Sequence, residues 1–204
     1  MHRNAFLLLL GLMVGCAKAG SPGDGQLSRA EKMKEMEREA ASKRGEAEYY
    51  RLRDELQVFA AKNAWTAVER VFRKIKKTGH PLSQPDWLAG ARSAQFVGNV
   101  KATHVRLSRA IALKEDQVVL DWLWAIDREY GKLFVAADVG VATLEPEKTP
   151  FDPTHKKAIL FAQSRVNETG IFDGYLPEGV YHFSGHRVVV NPHASATRID
   201  LRRQ

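Results

Sequence analysis

Ser83 to Lys114 reads SQPDWLAGARSAQFVGNVKATHVRLSRAIALK, and its punctuation decides the kind of fold. Pro85 has a backbone angle preset for the first helical turn, so a helix is expected to open here with Ser83 as its cap. Trp87, Leu88, Ala91, Ala94 and Phe96 recur at helical spacing and give that helix an apolar side. Gly98-Asn99 ends it. Val100, Val105, Leu107, Ala110 and Ile111 then mark a second helix with its own apolar side, so the stretch predicts a helical hairpin.

The same period extends both ways. Upstream, Tyr49, Leu52, Leu56 and Phe59 define a helix that turns at Asn63. Trp65, Val68, Phe72 and Ile75 define another, stopped by Gly79-His80-Pro81. Downstream, Glu115 to Tyr130 carries Val119, Leu120, Leu123, Ile126 and Tyr130 on one side. Residues 49–130 are therefore read as two helical hairpins and a fifth helix. The unit from Ser83 to Lys114 resembles a tetratricopeptide repeat: Trp87 opens it, Ala91 and Ala110 are the small contact residues, and Gly98 sits in the turn. Tyr49 to Leu82 is a poorer unit, with Trp65 in place of a tyrosine. Gly90 stands where leucine is usual, and Thr103 where alanine is. The resemblance implies stacked helix pairs, core roles for Trp65 and Trp87, and a concave face for a protein partner.

Beyond Gly131 the period changes. Lys132 to Leu144 alternates in the manner of a strand, with Leu133, Phe134, Val135, Val139 and Val141, and Pro146, Pro150 and Pro153 punctuate a turn-rich passage. Asp152 or Thr154 is placed to cap a short helix burying Ala158, Ile159, Phe161 and Ala162. Strands are expected at residues 170–175, 179–184, 187–190 and 199–201, with turns at Leu176 to Gly179, Ser184-Gly185 and Asn191-Pro192. Phe172, Gly174, Leu176, Pro177, Gly179 and Tyr181 match the F-x-G-x-L-P-x-G-x-Y hairpin of carboxypeptidase-regulatory-like β-sandwich modules, which this run resembles. Such modules are spacers or binding folds. The fold class expected is α+β: an all-α helical-hairpin domain, then a small β-sandwich-like domain over 131–204 with one short inserted helix.

Before Tyr49 the chain is charged. Residues 28–48 read as a solvated stalk helix with Met33, Met36 and Ala40 as its few apolar steps and Gly45 as an interruption. A coiled-coil pairing segment is the alternative reading. Ahead of it, residues 16–27 include a flexible Gly20 to Gly25 tether. Residues 1–15 carry His2, Arg3 and an apolar run from Ala5 to Val14, too short to span a bilayer and typical of an export signal. Met13-Val14-Gly15-Cys16 resembles the lipobox of bacterial lipoproteins, with Met13 where leucine is usual. That resemblance implies cleavage before Cys16 and lipidation of its thiol and new amino terminus, including a palmitate-type acyl chain. Several acyl chains anchor stably where one does not. Ala17-Lys18-Ala19 fits ordinary signal cleavage, which discards Cys16 and leaves the chain soluble. Cys16 is the only cysteine, so no intrachain disulfide forms. No aspartate follows it, which by resemblance to enteric lipoproteins favours the outer membrane over the inner.

Thirty-one Lys and Arg residues against 24 Asp and Glu give a net charge of +7. The cations are interspersed with glutamates along helices, which argues against nucleic acid as a partner. Lys101, His104, Arg106 and Arg109 sit together on the fourth helix as a conceivable basic groove, with a solvated helix face as the plainer reading. His182, His186 and His193 raise the thought of a metal site, but the first two straddle a predicted turn, so no metal ligand is assigned. His155 is placed at a helix start among lysines, in solvent. Asp121, Asp127 and Glu129 read as outward charges. No nucleophile elbow, phosphate loop or dinucleotide fingerprint is present, so no catalytic residue and no cofactor are assigned. The resulting expectation is a non-enzymatic, lipid-anchored envelope protein acting as a scaffold or adaptor for a protein partner. The alternative is a cell-wall or glycan-binding module working through the β domain.

Overall fold

The computed structural model describes residues 28–140 and 142–202; Cys16, the leader, the tether and Val141 lie outside the described residues. The chain divides into two compact units, Met1–Ala41 and Ser42–Gln204. In the first, the described residues are a charged, exposed helical run. Ser28 and Glu31 cap it reciprocally, Glu31 N donating to Ser28 Oγ (3.2 Å) and Ser28 N to the Glu31 carboxylate (2.6 Å).

Helix α1, Arg29–Ala61, continues through Gly45 without a break, correcting the expected interruption. A glycine costs a helix about 1 kcal/mol against alanine, a penalty that packing overrides. Gly45 is also a close approach: a Cβ there would lie 3.4 Å from the Thr78 carbonyl oxygen. Helix α2 spans Trp65–Lys77, α3 Gln84–Phe96, α4 Val100–Leu113 and α5 Gln117–Glu129. Their ends follow local chemistry. Asn63 takes a left-handed φ of 54° between α1 and α2. Ser83 and Asp86 form a capping box on α3, and Asn99 and Asp116 cap α4 and α5. Tyr49, Leu52 and Leu56 of α1 pack on Val68, Val71, Phe72 and Ile75 of α2 as one core cluster. A second joins Ala91, Val100, Leu107, Ala110, Val119 and Ile126. Trp65 and Trp87 are partly buried against these clusters.

Strand β1 is Tyr130–Ala136, β2 Leu144–Pro146, β3 Ile171–Pro177, β4 Gly179–Phe183, β5 His186–Val190 and β6 Thr197–Asp200. They form two three-stranded sheets, ordered β3-β1-β6 and β2-β4-β5, with β1 and β6 parallel. Helix α6, Pro153–Thr169, is 17 residues long rather than short, capped by Asp152 and ended by Gly170 at φ 69°. Both sheets and α6 share a core of Leu133, Val135, Phe172, Leu176, Tyr181, Phe183, Ile159 and Val166, giving an α+β chain with a sandwich-like second half.

One expectation is corrected here. The run through Leu176 to Gly179 is a bend between sheets, not a hairpin: β3 pairs with β1, and β4 with β2 and β5. Pro177 has no N–H to offer a ladder, and the Glu178 N–H donates instead to the Glu129 carbonyl (2.9 Å), so the chain leaves one sheet there. Phe172 and Tyr181 still both point inward. The true hairpin is β4–β5, turning through Ser184 and Gly185 at φ 45° and 85°. The helical and β portions also pack together: Ala158 of α6 and Tyr175 of β3 join the α3–α5 cluster. Any Cβ on Gly98 would collide with the Lys157 carbonyl.

Candidate functional site

Helix α4 is held from one side by a buried charge cluster. Arg106 donates to both Glu69 oxygens (2.5 and 2.9 Å) and to the Gly90 carbonyl (2.6 Å). Ser93 Oγ and Arg73 Nε donate to the same carboxylate at 2.8 and 3.0 Å. The Arg106 guanidinium carbon lies 4.3 Å from the centre of the Phe72 ring. Gly90, the departure from the repeat pattern, makes this possible: a Cβ there would stand 2.5 Å from a Phe72 ring atom. Burial pushes the Glu69 carboxyl up. The hydrogen bonds and charge of Arg106, with Ser93 and Arg73, outweigh it and hold the group below its ordinary value of 4.5.

With Arg106 inward, the rest of α4 turns outward. Lys101, Val105, Arg109 and Leu113 recur every four residues and are all exposed. Val105, expected in the core, is 49% exposed; buried Thr103, Leu107 and Ala110 hold the inner face. This outer stripe lines an open groove of about 1070 Å³, with Lys76 of α2 and Leu82 nearby and Phe161, Arg165, Ile171 and Asp173 from α6 and β3. Leu113 and Ile171 are 56% and 45% exposed, so three large apolar side chains meet solvent in the groove. Five cations line it against one carboxylate, Asp173, which Lys101 already holds at 2.5 Å. Arg165 faces Glu168 at 3.5 Å on the surface. Among the described residues Lys76 and Arg109 have no ion pair. The groove is therefore basic, with apolar side chains between its charges.

His104 does not join the groove. It stacks on Tyr175 (centroids 5.6 Å, 18°), and its Nε2 lies 3.0 Å from Asp127. Asp121 accepts from Gln117 (2.8 Å) and Glu129 lies 3.6 Å from His155 Nε2, so the three α5 carboxylates have separate partners. His155 is half-buried rather than solvated: its ring meets Tyr130 edge-on at 5.2 Å, and its buried Nε2 has no hydrogen-bond partner. It borders a cavity of about 290 Å³ walled by Pro146, Pro150, Pro177 and Tyr181. Across the β4–β5 hairpin His182 faces Arg187 and His186 faces Phe183, which puts the two histidines on opposite faces of the sheet. Among the described residues no three His, Cys, Asp or Glu side chains are grouped to hold a metal ion. Nor is any helix among them long and apolar enough to cross a membrane.

A second surface lies at the other end of α3. Phe96, also expected inside, is 41% exposed with Lys157 Nζ 3.9 Å above its ring. Trp65, Trp122 and Arg92 line the same shallow depression, and Arg70 borders the one adjoining it; neither has an acidic lining residue.

Comparison of the chain with protein-family models, with curated proteins and with solved structures finds no match.

Proposed function

We propose that this chain is a non-enzymatic adaptor of the bacterial envelope, tethered by lipid on Cys16, which receives a protein partner in the groove along α4. The groove carries this reading, since exposed Val105, Leu113 and Ile171 sit beside Lys76 and Arg109, two cations with no ion pair among the described residues. Apolar side chains beside unpaired cations suit recognition of a macromolecular segment, and a lipid anchor raises the local concentration at one surface. Two measurements test it. A photocrosslinking residue at Val105 in the full chain, in the producing cells, should yield one protein adduct that Arg109→Glu abolishes at unchanged protein level. Adducts insensitive to that reversal would remove the groove from the reading. Mass spectrometry of native material should show an acylated amino terminus at Cys16. Material beginning at Gly20 with no acyl mass would leave a freely diffusing adaptor.

The glycan reading draws on a different surface from the one expected. The depression of Trp65, Phe96 and Trp122, ringed by Arg92 and Lys157, offers aromatic faces and positive charge to an acidic wall polymer. It requires co-sedimentation with purified cell wall that weakens with salt and with Arg92→Glu. Salt-independent sedimentation speaks against it.

A further inference from the structure

The exposed stripe of α4 has an internal order. Lys101, Val105, Arg109 and Leu113 alternate cation and apolar at every fourth residue, over about 18 Å at about 1.5 Å per residue. A four-residue step is one of the ridges by which helices interdigitate, and a partner helix with the same step presents a side chain once per turn. Opposite the stripe, Arg165 and Ile171 repeat the same pair of chemistries from α6 and β3.

Resting on the adaptor reading, we propose that the groove takes an amphipathic helix in which acidic and apolar residues alternate at every fourth position. Its carboxylates meet Arg109 and Lys76, and its apolar residues lie between Val105, Leu113 and Ile171. Charge complementarity selects the acid: Arg109 and Lys76 have no ion pair among the described residues, while Lys101 is engaged by Asp173 and Arg106 by Glu69. Arg109 is thus the principal electrostatic contact, and Lys101 contributes only by giving up an existing bond. A helix is favoured over an unbroken polyanion because each step between cations is filled by an exposed apolar side chain, which phosphate or sulfate would leave without a partner. Every residue of the stripe is exposed, so its charge can be reversed without disturbing the core.

The test uses the full chain in detergent and helix-stabilised synthetic peptides, read by fluorescence anisotropy. One peptide alternates Glu and Leu at every fourth position. A second has the same composition with Glu and Leu on opposite faces, and a third has Lys for Glu. The ordered Glu peptide should bind about tenfold or more tightly than the permuted one, and less tightly as salt rises. Arg109→Glu should remove most of that binding and transfer preference to the Lys peptide; Val105→Asp should weaken the Glu peptide without helping the Lys one. Equal binding of ordered and permuted peptides overturns the proposal, as does an unchanged affinity in Arg109→Glu. So does preferential binding of phosphatidylglycerol vesicles or polyphosphate, which would assign the groove to anionic headgroups or polymers. If the Val105 crosslink captures an Arg109-dependent protein while no peptide binds, the adaptor reading stands and the helical ligand falls.

Discussion

Glu69 and Arg106 meet where three helices close together, and both are buried, at 5% and 9% exposed. Removing Glu69 leaves Arg106 buried without a counter-charge, which costs about 3–5 kcal/mol, whereas replacing both with apolar residues is far milder. Glu69→Leu is therefore expected to lower urea stability sharply, and Glu69→Leu with Arg106→Met to recover most of the loss. The pair also makes stability depend on pH. The Glu69 carboxyl is held below its ordinary 4.5 in the folded protein, so on acidification the unfolded chain takes up the proton first. Its contribution is complete above that ordinary value and disappears as pH falls through the lower folded-state value. Urea midpoints below pH 4.5 should thus fall more steeply for the native chain than for Glu69→Gln, in which this titration is gone. Gly90→Ala acts on the same cluster by overpacking: the added methyl meets Phe72, and a loss of about 1–3 kcal/mol is expected in the same assay.

The helices owe their boundaries to caps that also do tertiary duty. Asp86 completes the α3 capping box with Ser83 and accepts a hydrogen bond from Tyr49 Oη on α1 (2.7 Å), on whose ring His80 stacks at 4.0 Å. Burial first, then the Asp86 carboxylate, pushes the Tyr49 phenol above its ordinary value, so Tyr49 stays a donor. Ser83→Ala removes a cap and one of the Asp86 partners, and a loss of about 1 kcal/mol is expected by urea denaturation. Because this network is local in its capping half, Ser83, Pro85, Asn63 and Gly79 were legible as punctuation without any fold in hand. The bend at Glu178 was not. A proline and a glycine two residues apart look alike whether a strand returns on itself or passes to another sheet. What separates the cases here is the Glu178 N–H reaching the Glu129 carbonyl from the end of α5.

For Ser42–Gln204 taken together, the helical and β portions share side chains, with Ala158 and Tyr175 in the α3–α5 cluster and α6 also closing the β core. Shared burial couples their stabilities. All four tryptophans, Trp65, Trp87, Trp122 and Trp124, lie in the helical portion, so their fluorescence reports on helices alone. Leu133→Ala opens a cavity in the β core at a cost of about 2–5 kcal/mol. It should lower the tryptophan-monitored and circular-dichroism midpoints by the same amount. A tryptophan midpoint that stays put would mean the two portions unfold separately.

The amino-acid order alone determined that α2 to α5 exist and where the turns between them fall, that the chain turns from helix to strand near Gly131, and that Ser184-Gly185 reverses a hairpin. Each of these rests on caps, breakers and periodicity acting over a few residues. Tertiary structure decided which side of α4 looks outward. Val105 reads as core by spacing, yet Arg106 is drawn inside by Glu69, 37 residues away, with room made by Gly90. It likewise decided that Phe96 and His155 change places with respect to solvent and that β3 and β4 part company. The reason is the same throughout: a buried charge or a free N–H is satisfied by whatever partner the fold brings near, and sequence distance does not encode that meeting.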